Sequence, residues 1–384
     1  MDPAQFQHSP SGRPVRTPGG YWAFVPNPLP PKLDWDSNLV IALSTADMAI
    51  GTVSGLGETL PNPHLLIYPF IRREAVLSSR IEGTRSSLSD LLFFEATSLE
   101  RQGDVREVQN YVRAMEYGLQ RIGEIPLSLR LIREIHAILL QDVRGEHATA
   151  GEFRHSQNWI GPPGCILEEA TYIPPPVPEM QQALDGFEKF LHAETGLPTL
   201  VEMALIHYQF EAIHPFLDGN GRIGRLLVAL LLCQRGVLAK PLLYLSAFFE
   251  RHRQEYYDLL LAVSRGGEWR EWLTFFLRAV AQQSKDAIQR SRRLLELHRS
   301  YAEIALDRRW PPSAGRLTEV IFMKPVLTMR QAERSLKVSF PTARNAIDAL
   351  EEAGVLVELT GGRRNRAYAA RDIVAILEEE MPDQ

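Results

Sequence analysis

The segment HPFLDGNGRIGR, residues 214–225, most constrains what this chain can become. It lies between two helical stretches. Before it, Val201, Leu205, Tyr208 and Ala212 recur at spacings of three and four and mark an apolar helix face. After it, 226–232 is apolar on every side, so that helix belongs in the middle of a bundle, ending at Gly236 as a cap. Pro215 ends the first helix, and the segment is the loop between two core helices. Gly219, Asn220 and Gly221 permit the backbone dihedrals of a nest whose N–H groups converge at the positive end of the second helix. Arg222 and Arg225, three apart, project from one face of its first turns. Backbone donors, a helix dipole and two guanidiniums address one space, which points to a polyphosphate. Asp218 would repel such an anion unless a divalent cation lay between them, which implies Mg²⁺. His214 is the nearby group able to accept a proton at neutral pH. The bland alternative is a tight turn with a core histidine and solvated arginines. Two cations at a helix start, where the dipole disfavours them, argue against it.

The rest of the chain is consistent with a helical protein. Its 384 residues, 45% hydrophobic and 23% charged with net charge -5, predict an ordinary globular chain of two or three domains and demand neither nucleic acid nor an acidic membrane. Two cysteines far apart offer no disulfide framework or zinc cluster. The N-terminus lacks a signal-peptide core and the longest apolar run, 226–233, is too short to span a bilayer, so a soluble cytoplasmic protein without a membrane partner is expected. Residues 1–32, rich in Pro, Gly and Ser, read as an extended arm. Helical periodicity runs from about 35 to 142 and resumes at 180–193, 198–213, 219–235, 251–264 and 268–307. Between these blocks, NWIG and ATYIP flank a Pro-Gly turn, a hairpin pattern. PPSAG, 311–315, reads as a linker, and the tail beyond it as three helices and two short strands. The expected domains are 1–142, 143–310 and 311–384.

HPFLDGNGRIGR matches the signature of the Fic domain family, HPFx(D/E)GNGRxxR, at every defining position; GEFRHSQNWIG resembles the family's flap, and RQEYYDLLLAV is also similar. The resemblance covers about residues 20–300 and implies a mainly α Fic-type helical bundle with a small β-hairpin flap. It further implies a protein adenylyltransferase moving AMP from ATP to a Ser, Thr or Tyr hydroxyl of a target protein. In that frame His214 takes the hydroxyl proton, Asp218 holds Mg²⁺ between the α- and β-phosphates, and Gly219, Asn220 and Gly221 form the anion hole. Arg222 holds the β-phosphate region, Arg225 grips the γ-phosphate, and Phe216 is a core anchor. Tyr257 is assigned to the base pocket, and the target is expected to pair with the flap, residues 157–173.

SSRIEG, 78–83, reads on its own as a surface helix ending at Gly83. Glu82 at a helix C-terminus is electrostatically misplaced unless a cation is near. Ser78, Glu82 and Gly83 fit the family's inhibitory signature (S/T)xxxE(G/N), which implies that Glu82 pairs with Arg225. The tail resembles a winged helix-turn-helix domain, with GGRRNR as wing and Arg344, Arg363, Arg364 and Arg366 suited to phosphate. It implies contact with DNA or with protein, homodimerisation included. Three functional readings stand: an adenylyltransferase restrained by Glu82, an enzyme removing AMP, and a DNA-binding regulator with a Fic sensor core.

Overall fold

The computed structural model describes residues 1–60, 62–100, 104–143, 149–162, 164–362 and 366–379. The chain is mainly helical. Helices α1 (Ser37–Thr59), α2 (His64–Ile81), α3 (Leu88–Thr97), α4 (Val105–Arg121) and α5 (Leu129–Leu139) form the N-terminal half. After the flap segment come α6 (Val177–Leu191), α7 (Thr199–Ile213), α8 (Asn220–Gln234), α9 (Ser246–Arg251), α10 (Arg253–Gly266) and α11 (Trp269–Asp307). Side-chain caps set several starts: Asp36 accepts from the N–H of Leu39 at 2.8 Å, and Ser87 and Asp90 form a reciprocal capping box.

α7 and α8 are buried almost all round and pack on each other at the centre, as their apolar sequences require. α11, 39 residues and about 58 Å long, runs beside them, with α1 laid along it. By length and composition α1 is long and apolar enough to cross a membrane, although polar residues interrupt its apolar stretches. α2 lies between α4, α9 and α8, and on its other side meets α12 (Pro312–Met323).

Three local expectations are corrected. The N-terminal arm is no plain extended strap: β1 (Gly12–Arg16) and β2 (Trp22–Pro26) pair antiparallel, turned by Gly20 at φ 86°. The flap is not a regular hairpin. Among the described residues its pairing is a single antiparallel bridge, Ile160 to Tyr172, because prolines at 162 and 174 interrupt the ladder on both sides. The linker proposed at 311–315 is the first turn of α12, with Pro311 as cap and Pro312 at the first helical position, where a missing N–H costs nothing.

The tail adds β3 (Val326–Thr328), α13 (Met329–Leu336), α14 (Phe340–Glu352), β4 (Val357–Glu358), β5 (Ala367–Ala369) and α15 (Arg371–Glu378). The sheet order is β3-β5-β4, antiparallel throughout. Of the four arginines read as phosphate contacts, Arg344 pairs with Asp348 and Arg366 with Glu358, while Arg363 and Arg364 lie outside the described residues. The tail packs against the N-terminal half, α12 on α2 and β3 on α3, and its apolar side chains join the same core.

Gly118 shows how tight that core is. A Cβ there would stand 2.8 Å from Leu230 and 3.2 Å from Ile135, where α4 crosses α8 and α5. Gly118→Val is expected to cost about 1–3 kcal/mol by overpacking, read as a lower thermal midpoint; an unchanged midpoint would contradict this packing.

Candidate active site

The loop 214–219 is braced from three sides. His214 adopts the left-handed region (φ 48°, ψ 61°), unusual for a residue with a side chain, and turns the chain out of α7. The buried Arg154 donates from Nε to the carbonyl of His214 at 3.0 Å, and its N–H donates to the carbonyl of Pro215 at 2.9 Å. Asn158 donates from Nδ2 to the carbonyls of His214 and Phe216, at 3.1 and 2.7 Å. From α5, His136 stacks on Phe216 with ring centroids 3.7 Å apart, and its Nε2 meets the carbonyl of Asp218 at 3.0 Å. Gly151 N–H donates to His136 Nδ1, so Nε2 carries the hydrogen. Phe216 is fully buried, as expected of a core anchor. Arg154, Asn158 and His136 were not singled out in the sequence; the first two stand in the quoted flap segment, and His136 lies in an amphipathic helix without any motif.

The three-residue nest is corrected. Gly219 has φ 78° and caps α8, but Asn220 and Gly221 are already helical. Asn220 staples the loop to itself: its Oδ1 accepts from Phe216 N–H and its Nδ2 donates to the Phe216 carbonyl, both at 2.8 Å. Gly221 is glycine for room. A Cβ there would lie 2.3 Å from Glu82 Oε1 and 2.9 Å from Arg225 Nη1. Gly224, one turn on, leaves the same kind of space for Glu211, whose Oε1 would be 2.2 Å from such a Cβ.

Ser78, Glu82 and Arg225 meet in the pairing that the family resemblance implied. Arg225 is buried; Nε donates to Ser78 Oγ at 2.9 Å, and Nη2 to the Ser78 carbonyl at 2.8 Å and to Glu82 Oε1 at 2.7 Å. Glu82 is the C-cap of α2. The turn after it is a Schellman motif, with Gly83 N–H to the Arg80 carbonyl and Thr84 N–H to the Ser79 carbonyl; Gly83, at φ 98°, makes it possible. Burial pushes the Glu82 carboxyl up, but the guanidinium of Arg225, with Arg222 behind it, outweighs that and holds it below its usual value. Burial likewise opposes the charge on Arg225, and Glu82 more than restores it.

Arg222 is held between Glu107 of α4 at 3.3 Å and Asp218 at 3.5 Å. The Asp218 side chain is 47% exposed. One half-exposed carboxylate suits an ion such as Mg²⁺ that arrives with phosphate oxygens and keeps some water. Among the described residues no cluster of three or more His, Cys, Asp or Glu forms a dedicated cage. Tyr257 lies at the rim, 37% exposed, its hydroxyl 3.5 Å from the Ile81 carbonyl, beside the end of α2.

Burial, with the nearby charge of Arg154, pulls His214 down to about 4, so its imidazole is neutral at pH 7. Nδ1 lies 3.3 Å from the Glu211 carbonyl, which can only accept, so the hydrogen sits on Nδ1. The Nε2 lone pair is left to take a proton, with no partner among the described residues. Glu211 is the neighbour that sequence reading missed. Its Oε1 is buried without a hydrogen-bond partner among the described residues, and burial, aided by Glu82, pushes its carboxyl up to about 8 against the pull of Arg225. The folded state therefore favours neutral Glu211. That stabilisation is complete below about 4.5, the unfolded value, and is lost as pH rises through about 8. Glu211→Gln keeps the neutral shape and removes this loss. Its thermal midpoint is expected to gain on wild type between pH 5 and pH 8.5; a pH-independent difference would refute a neutral Glu211.

Family models match in two blocks: "Fic/DOC family N-terminal" over residues 40–120 and "Fic/DOC family" over 126–232. The chain is 27% identical over 202 residues to protein adenylyltransferase Fic of Drosophila melanogaster, covering 51% of this chain and 37% of that protein. It is 28% identical over 185 residues to the protein of the same name from Culex quinquefasciatus, covering 48% and 33%. The match thus spans about a third of these relatives' length. A Fic family protein from Desulfovibrio desulfuricans shares the fold with a TM-score of 0.57 at 18% identity, over 89% of this chain and 98% of that one. Fic-1 of C. elegans gives 0.51 at 22%, over 68% and 74%. With both family blocks in place and the HPFLDGNGRIGR loop at the head of α8, residues 40–232 carry the N-terminal and Fic segments of the Fic/DOC family.

Proposed function

We propose that this protein is an adenylyltransferase, moving AMP from ATP to a hydroxyl side chain of another protein, and that Glu82 restrains it. The observation that carries the proposal is the Glu82–Arg225 ion pair at 2.7 Å at the start of α8. It fills with a carboxylate the place where a phosphate would be gripped. The names of the relatives, both protein adenylyltransferases, support the donor and the product.

In this reading the hydroxyl proton passes to Nε2 of His214, and the freed oxygen bonds to the α-phosphorus of ATP. The bond from that phosphorus to the bridging oxygen breaks, and pyrophosphate leaves. The open N–H groups at the head of α8, with Arg222 and Arg225, meet the phosphate charge; such transfers depend on position and charge neutralisation. Asp218 would hold the magnesium ion, which supplies further neutralisation of the phosphates. The extended target segment would pair at the flap near Ile160. Glu82 acts by keeping Arg225 from the γ-phosphate, so ATP sits out of line. Because the Glu82 side chain is 36% exposed, it can also orient a water, which favours the reverse reaction, removal of AMP, as the second reading.

The test compares AMP incorporation from labelled ATP by wild type, Glu82→Gly and Glu82→Gly/His214→Ala. A misplacement of about 1 Å costs roughly a hundredfold, so Glu82→Gly is expected to transfer about a hundredfold faster than wild type, and the double variant not at all while still binding ATP. Equal rates for wild type and Glu82→Gly sink the restraint; transfer by the double variant sinks His214 as base. Faster AMP release from a modified target by wild type than by Glu82→Gly selects the second reading.

A further inference from the structure

Helix α2 carries more than the Ser78 and Glu82 contacts. Nine residues before Glu82, about 13 Å along the helix, Arg73 points the other way, toward the C-terminus. Its Nε donates to the carbonyl of Leu377 at 3.1 Å, and its Nη1 lies 3.3 Å from Asp286 of α11. Arg290, also on α11 and fully buried, donates from Nε to the same Asp286 at 2.8 Å. Its other nitrogens donate to the carbonyls of Ile376, Leu377 and Glu379. A fully buried guanidinium and a partly buried one therefore share one carboxylate. The rest of their hydrogen bonding comes from the last carbonyls of α15, which have no partners within that helix and form the negative end of its dipole. Ser89, at the start of α3, adds two hydrogen bonds to Glu378, each 3.1 Å.

The placement of α15 is selective. Its main packing partners are α11, α2 and α3, and the catalytic loop is not among them. α2 in turn packs on α8, where Arg225 sits. A buried cation stripped of acceptors is costly. Unseating α15 removes the carbonyls that hold Arg73 and Arg290, and with them part of the anchor that fixes α2 against α11.

We propose that α15 is a latch on α2: with the C-terminal helix seated, Arg73 and Arg290 fix the register of α2, and that register keeps Ser78 and Glu82 on Arg225. This rests on the restraint proposed for Glu82 and adds what governs it, namely the seating of the tail. A partner that pulls α15 away releases Arg225 without touching the active site.

The test uses the full-length chain with Arg290→Met, which removes the guanidinium and keeps the stem. Two quantities are read. The first is amide hydrogen exchange over residues 78–84, expected to rise in the variant while exchange in α7 and α8 stays at the wild-type level. The second is AMP transfer with and without Glu82. Arg290→Met is expected to raise transfer about tenfold, a coupling of ordinary size, when Glu82 is present, and to change nothing in the Glu82→Gly background. Arg290→Lys, which keeps a charge, is expected to restore part of the restraint. If Arg290→Met does not fold, the exposed pair Ser89→Ala/Glu378→Ala makes the same comparison at the rim of the same contact. Unchanged exchange over 78–84 overturns the latch, as does an equal change in transfer in both backgrounds. If Glu82→Gly is itself inactive, the transferase reading has failed, and the exchange measurement still decides the latch.

Discussion

Arg225 is the residue on which the arrangement turns. A guanidinium sealed inside a helical bundle is tolerable only with its donors satisfied and its charge matched. Here Ser78 takes two of those donors and Glu82 supplies the opposite charge. Both come from the C-terminal end of α2, so the second turn of α8 and the end of α2 are fixed against each other. The consequences reach into composition: a side chain at Gly221 would push aside the Glu82 carboxylate and the Arg225 guanidinium, and at Gly83 the chain leaves α2 at φ 98°, a left-handed conformation that favours glycine. Charge matching, close approach and backbone handedness are thus three conditions on a single contact.

A second constraint holds the loop before α8. Among the described residues no strand or disulfide braces 214–219; the carbonyls there are held by Arg154, Asn158, His136 and Asn220. Among the described residues the Arg154 side chain donates to the carbonyls of His214, Ser156 and Pro175, and burial pulls it down to about 10. Holding backbone groups with side chains lets the loop keep an irregular path, including the left-handed His214, and leaves the N–H groups at the head of α8 open to a ligand. At this loop His214 and Glu211 are both held neutral, each by burial and its neighbours.

The tail illustrates how packing joins elements that a sequence reading separates. The proposed linker is the first turn of α12, and the last described helix closes on two arginines, Arg290, 87 residues earlier in the chain, and Arg73, 304 residues earlier. Such a contact has no local signature. Arg73 and Arg290 look like ordinary charged positions on helix faces, and only the folded chain reveals that both end at the carbonyls of α15.

The sequence by itself determined what depends on local pattern. Apolar periodicity placed the helices over 199–213, 220–234 and 269–307 within a few residues, because burial of one face is written at a spacing of 3.6. The motif at 214–225 placed His214, Gly219, Arg222 and Arg225 around one helix start, since adjacent positions in a loop and a helical turn cannot be far apart. Glu82 was legible as a charge in the wrong place, although the family resemblance was needed to name its partner. What stayed hidden was decided by residues distant in sequence. The flap keeps one bridge because prolines cut its ladder short, the nest shrinks to Gly219 because Asn220 staples the loop, and Gly221 and Gly224 prove to be matters of room. Arg154, Asn158, His136 and Glu211 acquire their parts only when α5, the flap and α7 close on the same loop. Their contacts are set by three-dimensional packing and by burial, which no spacing along the chain encodes.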